Sequence, residues 1–585
     1  VTKTIVCEVV HDPPLFSGHA RDYLLALGVP QAWLDGVLHI DLAGLEKLEA
    51  HLPAEAFERL FQLACGEPVP RPASASKGDP FAHPDAQRRF VVLDDRVEFR
   101  RALENPWEQW LVFLHPTQRA VVGRRFQGPA RVTGSAGTGK SVVALHRAAT
   151  LAKEGDGAVL LTTFSRTLAA RLSQHLALLG GDGASPVVVE HLHKLARERY
   201  AQTAGNSFGL LEAKDLPALM ESAVMRAAPR QALGLAFLRA EWEALVDPWG
   251  ITTWEAYRNA PRTGRATPMG LRMRQEVWRV FDALHALLRE RNLLSWNQLC
   301  YAAARSVGAS PLFRHVIADE CQDFGPAELT LLRALVAPGA DDLFLCGDAG
   351  QRIYRGRFSW ASTGIDVRGR STRLKVNYRT TEQIRRFADR LIPGVIDEED
   401  GESGARGTVS VLSGPSPEVR VCATVQEEVA TVGVWVKARV AEGYAAREIG
   451  LFARTDAVLK KRVVEALSAA GLEGHALRDD EALHAGRPSY GTMHRAKGLE
   501  FRAVAVVGCE PGVVPLPKAV QRDDEDDRTA AMEQERHLVY VATTRARERL
   551  LVTAVGQVSP LLEGALEGTR SEAKPRAGAG KKSGA

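Results

Sequence analysis

The chain has 585 residues, of which 45% are hydrophobic and 25% charged, and its formal net charge is +4. This length is more than one domain needs and allows about four. No apolar run reaches the roughly eighteen residues that a membrane-spanning helix requires, which excludes the class of membrane-embedded proteins and a membrane partner. The small net charge neither requires nor excludes a polyanion as partner.

The N-terminus does not resemble a signal peptide. VTKTIVCEVVHDPPL has an aspartate and a proline pair where the apolar core of such a peptide would lie, so we expect a cytoplasmic protein. The first residue is Val, which leaves open whether the natural start is present. No C-x-x-C pair occurs, and we expect buried, reduced thiols and no zinc site from the cysteines Cys7, Cys65, Cys300, Cys321, Cys346, Cys422 and Cys509.

The order of patterns along the chain predicts an α/β protein with several parts. Residues 1–65 have apolar positions at helical spacing and predict a small, mostly helical module, and the Pro, Gly and Ser content that follows makes 66–105 a linker and lead-in. β-like runs alternating with helical stretches predict a parallel sheet over 106–195 that continues at 301–370, with 196–300 as a helical insertion. We assign 371–556 to a second α/β domain and 557–585, rich in Lys, Arg, Gly and Ala, to a disordered basic tail.

A phosphate-binding loop is the most specific motif. The segment GSAGTGKS fits the pattern G-x-x-x-x-G-K-[ST] and lies between a β-like run and a helix-like run. Its backbone N–H groups would cradle phosphates at a helix N-terminus. Lys140 would neutralise the β- and γ-phosphates, and the hydroxyl of Ser141 would bind Mg²⁺. The predicted nucleotide-binding residues of this loop are Gly134, Ser135, Ala136, Gly137, Thr138, Gly139, Lys140 and Ser141.

A pair of acids follows the apolar run HVIA, about 180 residues after the loop. The end of a strand is where a phosphate site needs carboxylates. Asp319 can hold Mg²⁺, while Glu320 can orient and deprotonate the attacking water. Together, the loop and the acid pair predict an ATPase that uses ATP and Mg²⁺.

These and further ordered motifs resemble the superfamily 1 helicases of the UvrD/PcrA/Rep type, over residues 107–555. The resemblance implies two RecA-like domains, with the insertion in the first. LHPTQRAVV supplies Gln118 as the adenine-reading residue, and LFLCGDAGQRIY supplies Gln351 as the γ-phosphate sensor. LKVNYRTTEQI supplies Tyr378 for stacking on adenine and Arg379 for the γ-phosphate. In the C-terminal half, the resemblance implies Glu500 at the ribose and Arg545 as arginine finger.

The resemblance also implies a single-stranded DNA contact surface. Bases usually stack on aromatic side chains while backbone phosphates meet polar or basic groups. The residues that the matching segments place on this surface are Thr163, Phe164, His193, Tyr354, Arg357, Trp360, Thr492 and His494.

Two departures from the family pattern affect these expectations. The family reads Q-x-I-Y-x-W-R-G, whereas this chain reads QRIYRGRFSW, with Gly356 at the usual tryptophan. Trp360 is either a substitute four residues later or a core residue. A regulatory 2B domain is expected just before YGTMHRAKGLEF, but only about twenty residues are available there, too few for a domain. Duplex unwinding is therefore a weaker expectation than ATP hydrolysis and translocation.

Three classes of function remain. The first is an ATP-dependent 3′-to-5′ DNA helicase or single-strand translocase in repair or replication restart, acting on single-stranded or 3′-tailed DNA. The second is an ATP-driven remodeller of a nucleoprotein complex such as stalled RNA polymerase, although residues 1–105 show no sustained heptads. The third, an interaction module with a decayed ATPase, conflicts with the intact motifs. The N-terminal region either recruits a protein partner or packs on the motor, and preference for DNA over RNA is not fixed by any motif.

Overall fold

A computed structural model divides the chain into two compact units, Val1–Phe99 and Arg100–Ala585. It describes residues 14–29, 33–41, 45, 52, 54–64, 69, 114–155, 157–179, 186–205, 207–230, 232–261, 269–308, 310–348, 358–392, 395–397, 403–405, 407–478, 484, 486–521 and 525–566. Within these residues, no helix combines the length and the apolar character needed to cross a membrane.

The N-terminal unit is helical in its described part, as the spacing of apolar residues predicts. Its helices are α1 (Arg21–Ala26), α2 (Leu34–Leu38) and α3 (Ala54–Ala64). A small core of Phe16, Leu24, Leu34, Val37 and Leu60 joins them. Most of the predicted linker, 66–105, lies outside the described residues.

The first sheet of the larger unit has six parallel strands in the order β3-β2-β6-β7-β1-β8. The strands are β1 (Ala130–Gly134), β2 (Val159–Thr163), β3 (Val187–His191), β6 (His315–Ala318), β7 (Leu343–Gly347) and β8 (Ser371–Leu374). Successive side chains point to opposite faces: Val316 packs in one core and Ile317 in the other. The central strands β2, β6 and β7 are buried on both faces, which explains their largely apolar sequences VLLTT, HVIA and LFLCG.

Helices cover both faces of this sheet and connect its strands. They are α4 (Pro116–Gly123), α5 (Lys140–Glu154), α6 (Arg166–Leu178), α7 (Leu192–Ala204), α12 (Trp296–Val307) and α13 (Pro326–Ala334), with α8 to α11 in the insertion described next. Short 3₁₀ turns at Cys321–Asp323 and Trp360–Thr363 complete this part.

The insertion has a core of its own. Its elements are β4 (Gly209–Leu210), α8 (Leu216–Ala227), α9 (Leu235–Glu241), a π-helix (Trp242–Val246), α10 (Trp254–Asn259), α11 (Leu271–Glu290) and β5 (Leu293–Leu294). The parallel pair β4–β5 closes the insertion at its base. The predicted bounds 196–300 are too wide, because Ala196, Leu299 and Cys300 pack in the core of the first sheet.

The second sheet is also six-stranded and parallel, in the order β13-β18-β17-β14-β16-β15. Its strands are β13 (Glu418–Cys422), β14 (Ile449–Ala453), β15 (His475–Ala476), β16 (Ser489–Thr492), β17 (Phe501–Val507) and β18 (Ala546–Val555). The helical elements of this part are α14 (Glu382–Asp389), α15 (Val425–Ala441), α16 (Asp456–Val458), a π-helix (Leu459–Val464), α17 (Glu465–Ala469), α18 (Pro517–Val520), α19 (Glu525–Thr543) and 3₁₀ turns at Ala446–Glu448, Met493–Ala496 and Pro560–Leu562. Small strand pairs β9 (Val376–Asn377) with β12 (Val409–Ser410), and β10 (Val395–Asp397) with β11 (Ser403–Ala405), lie between the two sheets in the chain.

Two parallel sheets flanked by helices confirm the predicted α/β class with two RecA-like domains. Two predicted boundaries are wrong. Strand β8 begins at Ser371, yet it pairs with β1, so the first domain extends beyond 370. Residues 557–566 are not tail, because Leu561 and Leu562 are buried in the core of the second domain. The rest of the predicted tail lies outside the described residues.

Candidate nucleotide and strand-binding site

The phosphate-binding loop connects β1 to the N-terminus of α5. Gly137 and Gly139 have φ angles of 84° and 82°, in the left-handed region that favours glycine. A methyl group on Gly137 would lie 2.4 Å from Asn377 Oδ1, and one on Gly139 would lie 2.3 Å from Gln118 Nε2. Lys140 Nζ donates to the carbonyl oxygens of Gly134 and Ser135, at 2.7 and 3.0 Å. The ammonium group is thus held at the loop, as a phosphate site requires.

Gln118 links the predicted adenine segment to this loop. Its Nε2 donates to Thr138 O at 2.9 Å, and its Oε1 accepts from the backbone N–H of His115 at 3.0 Å. Tyr378 lies at the same place, because its backbone N–H donates to Gly137 O at 3.1 Å and its ring centroid is 5.0 Å from that of His115. The structure therefore brings both predicted adenine residues to the loop.

The acid pair lies at the carboxyl end of β6, facing the loop. The hydroxyl of Ser141 donates to the Asp319 carboxylate, and the charge of Lys140 also acts on it. Burial, and after it the charge of the neighbouring Glu320, nevertheless raise the pKa of Asp319 above its ordinary value. Mg²⁺ prefers oxygen ligands, and Ser141 with Asp319 supplies a hydroxyl and a carboxylate side by side. These residues therefore fit the predicted metal.

Glu320 is held in an uncommon backbone conformation. Its φ of 55° is left-handed, a region that residues other than glycine rarely adopt outside functional sites and turns. Gln322 Nε2 donates to Glu320 Oε2 at 2.5 Å, and Gln322 Oε1 accepts from the N–H of Asp348 at 2.9 Å. The turn fixes the Glu320 carboxylate beside Asp319.

The second domain contributes two arginines. Arg379 Nη1 lies 2.5 Å from Glu500 Oε1. Arg545 is 2% exposed and donates from Nε to Val541 O at 3.0 Å and from Nη1 to Leu499 O at 3.3 Å. Burial first, and then the charge of Arg379, lower the pKa of Arg545 to about 10, while Glu320 opposes this shift. Arg545 is thus electrostatically coupled to the catalytic acid predicted on the first sheet.

Glu500 lies inside this arginine cluster. Burial alone would raise its pKa, but the charges of Arg379, Arg171 and Arg545 lower the pKa to about 2. In this structure Glu500 binds Arg379, and its predicted contact with the ribose stays a prediction. Gln351, the predicted γ-phosphate sensor, lies outside the described residues.

Two further contacts join the sheets. Lys497 forms an ion pair with Asp323, in the turn that follows the acid pair, and the side chains are 8% and 2% exposed. Arg171 Nη1 donates to Gly498 O at 3.1 Å. The first sheet's acid turn and α6 thus contact the segment 497–500 of the second domain.

The predicted strand contacts fall into three groups. Phe164, His193, Thr492 and His494 are partly accessible. Tyr354 and Arg357 lie outside the described residues. The predictions for Trp360 and Thr163 are wrong. Trp360 is 1% exposed and packs in the core of the first domain, where its ring centroid lies 4.6 Å from Arg131 Cζ. Thr163 is wholly buried in β2. Neither side chain is available for contact with single-stranded DNA.

One aromatic residue that the sequence analysis missed extends this surface. Trp296 is 38% exposed, and its ring meets that of His193 edge-on, with centroids 5.0 Å apart. His193 in turn meets Phe164, at 5.6 Å. A capping box between Ser295 and Gln298 fixes Trp296 at the first position of α12. The S-x-x-Q spacing was the available signal, since it predicts a helix start at this tryptophan.

The fold and the site define a two-domain P-loop nucleotide hydrolase, whose loop and acids belong to the first sheet and whose two arginines come from the second domain. Comparisons with known proteins specify the family. Residues 114–363 match the UvrD/REP helicase N-terminal domain, and residues 489–557 match the UvrD-like helicase C-terminal domain.

Relatives agree with this match. The "ATP-dependent DNA helicase UvrD2" of Mycobacterium tuberculosis is 26% identical over 570 residues, which cover 76% of this chain and 78% of the relative. The "ATP-dependent DNA helicase UvrD1" of the same species is 28% identical, over 49% of this chain and 40% of the relative. "ATP-dependent DNA helicase PcrA" of Staphylococcus epidermidis is 45% identical over 62 residues, which cover 11% of this chain and 8% of the relative. The chain belongs to the UvrD/PcrA-like superfamily 1 helicases, which confirms the resemblance seen in its motifs.

Proposed function

We propose that this protein is an ATP-dependent DNA helicase or single-strand translocase that moves 3′ to 5′ on single-stranded or 3′-tailed DNA, in DNA repair or replication restart. The observation that supports the proposal is that Lys140, Asp319 and Glu320 of the first domain lie in one electrostatic cluster with Arg379 and Arg545 of the second. Family membership supports the ATP-dependent helicase activity, and the polarity and pathway rest on the resemblance alone.

The chemistry follows from the positions of these residues. Phosphoryl transfer is catalysed mainly by positioning and by neutralising charge on the γ-phosphate. Lys140 and the loop amides would bind the phosphates, and Glu320, fixed by Gln322, would orient and deprotonate the attacking water. Mg²⁺, held by Ser141 and Asp319, would neutralise phosphate oxygens when bound. Arg379 and Arg545 would stabilise the transition state, an effect of roughly 10³ to 10⁵ in rate for comparable arginine fingers.

ATP hydrolysis can drive movement along DNA only if the contacts with the DNA strand are divided between the two motor domains. Phe164, His193 and Trp296 belong to the first domain. In the second domain, Thr492 ends β16 and His494 lies in the turn that follows. ATP would draw the domains together through the arginines, and product release would relax them. Alternating grip on the two sides of the cleft would then carry the protein along one strand.

The testing experiment is steady-state ATP hydrolysis with and without single-stranded DNA and RNA, with Lys140→Ala as control. We expect strong stimulation by DNA that the variant abolishes, followed by unwinding or displacement on 3′-tailed duplexes. The absence of hydrolysis with every nucleic acid would contradict the proposal. Hydrolysis that is indifferent to nucleic acid but lost in Lys140→Ala would favour the remodelling of a nucleoprotein complex, with a protein partner bound through the N-terminal region as the trigger.

A further inference from the structure

We infer that the ion pair between Arg454 and Glu535 is a positioning pair. It holds the His494 turn against α19 and so couples the binding of a DNA strand to the position of Arg545. The inference rests on the proposed function, because it concerns how the strand accelerates hydrolysis. Neither residue is part of the nucleotide or strand site described above.

The pair is buried and geometrically specific. Arg454 Nε donates to Glu535 Oε1 and Oε2 at 3.2 and 2.9 Å, and Arg454 Nη2 donates to Oε1 at 2.7 Å. The side chains are 13% and 5% exposed. Forked contacts between a guanidinium and a carboxylate fix orientation as well as distance. The pair therefore joins the carboxyl end of β14 rigidly to the middle of α19.

The strand-contact turn lies at this junction. β14 and β16 are parallel neighbours in which Ala453 is opposite Thr492, so Arg454 and the turn Met493–Ala496 emerge side by side at one edge of the sheet. Burial lowers the pKa of His494, the charge of Arg454 lowers it further, and Glu535 opposes them. Both members of the pair are thus close enough to His494 to act on its charge.

The other end of the same helix reaches the nucleotide site. α19 ends at Thr543, and Arg545 follows two residues later with its Nε bonded to Val541 O. From Glu535 to Thr543 the helix rises by about 12 Å at 1.5 Å per residue. A displacement of the His494 turn that Glu535 transmits to α19 would therefore move the Arg545 guanidinium.

The removal of the pair should separate the two activities. Without the carboxylate charge, Arg454 no longer holds the carboxyl end of β14, and with it the neighbouring His494 turn, against α19, so a bound DNA strand no longer positions Arg545. Hydrolysis without DNA does not depend on this connection. The expected effect is a loss of stimulation by DNA, by about tenfold, within the range of roughly 5- to 150-fold typical of coupling between sites.

The test compares Glu535→Gln with Glu510→Gln in the full-length chain. Glu510 forms a similarly buried ion pair in the same domain, with Arg462 Nη2 at 2.6 Å and side chains 12% and 11% exposed, but it is not among the charges that act on His494. Basal ATP hydrolysis, hydrolysis with saturating oligo(dT), the oligo(dT) concentration for half-maximal stimulation and the thermal midpoint are measured for each. Arg454→Lys, which keeps the charge and loses the forked contact, is the second variant and should retain an intermediate stimulation.

We expect wild-type basal hydrolysis in both glutamine variants and reduced stimulation in Glu535→Gln alone. Unchanged stimulation in Glu535→Gln, or an equal loss in Glu510→Gln at equal thermal midpoint, overturns the inference while the proposed function stands. A wild-type protein without stimulation by DNA overturns both. If Glu535→Gln does not fold, the stimulation in Arg454→Lys decides in the same way.

Discussion

The ion pair between Lys497 and Asp323 joins the two motor domains, and its removal offers a test of how the cleft closes. Asp323 follows the acid pair of the first sheet, and Lys497 precedes β17 of the second. The side chains of Lys497 and Asp323 are 8% and 2% exposed, so this is a buried ion pair. The value of about 0 to 1 kcal/mol that exposed surface pairs contribute does not apply to it. Breaking a buried pair by removing one partner costs about 3 to 5 kcal/mol while the other charge stays buried.

Lys497→Met should therefore disfavour the closed arrangement. A cost of about 3 kcal/mol corresponds to roughly a hundredfold shift between closed and open forms, since about 1.4 kcal/mol is a factor of ten. Opening of the cleft returns the Asp323 carboxylate to water, so the shift should exceed any loss in the stability of each domain. Asp323→Leu should act similarly, because it leaves the Lys497 ammonium without this carboxylate. The double variant removes both charges and should recover most of the closed population.

The assay is hydrogen exchange in peptides 164–171 and 493–501, which contain the cross-cleft contact between Arg171 and Gly498, together with kcat/KM for ATP. Both single variants should exchange faster at these peptides and lose kcat/KM, and the double variant should lie nearer the wild type than either. Additive losses in the double variant, or wild-type exchange in the single variants, would refute the reasoning.

Three further predictions concern the nucleotide and strand sites. Gly137→Ala should weaken ATP binding for two reasons. Its φ of 84° costs about 1 to 2 kcal/mol for a residue with a side chain, and the added methyl group would lie 2.4 Å from Asn377 Oδ1. The control is Gly443→Ala, which has a φ of 89° and no atom within 4 Å of the added methyl group, so it shares only the backbone cost. Trp296→Ala should weaken oligo(dT) binding by about 1 to 3 kcal/mol, the usual contribution of one stacked base; Trp33→Ala, with 36% exposure against 38%, should leave fluorescence anisotropy titrations unchanged. Glu500→Gln should be less stable than the wild type at neutral pH, and this difference in stability should shrink as pH falls from about 4.5 towards 2. The reason is that a carboxyl group whose folded-state pKa is lowered to about 2 contributes stability only while it is ionised. Acid unfolding followed by circular dichroism would contradict this if the difference between variant and wild type stayed constant with pH.

The residues of local motifs are where the sequence was most informative. The glycines and lysine of GSAGTGKS and the acids after HVIA could be assigned because each depends on a short spacing beside one strand. The structure places Lys140, Ser141 and Asp319 together as that reasoning expects. Assignments that depend on long-range packing fared worse. Trp360 is a core residue packed on Arg131, and the aromatic surface instead includes Trp296 from the far side of the insertion.

The predicted domain boundaries near residues 370 and 557 were wrong for a related reason. A strand's pattern of apolar residues predicts that it is a strand but carries no information about which sheet it joins. Ser371–Leu374 follows a break in pattern, and only its pairing with β1 places it in the first domain. Leu561 and Leu562 lie in a segment whose overall composition resembles a tail, and they are buried because the core of the second domain receives them.

The sequence by itself determined the class of this protein: an α/β P-loop enzyme of the UvrD-like helicases, with its loop, acids and arginines in a fixed chain order. It could do so because phosphate binding depends on backbone conformation within a few residues. The tertiary structure alone decided which side chains remain exposed to a strand and which charges meet across the cleft. Lys497 and Asp323, or Arg454 and Glu535, are far apart in the chain, and no local pattern specifies such a pair before both sheets have folded.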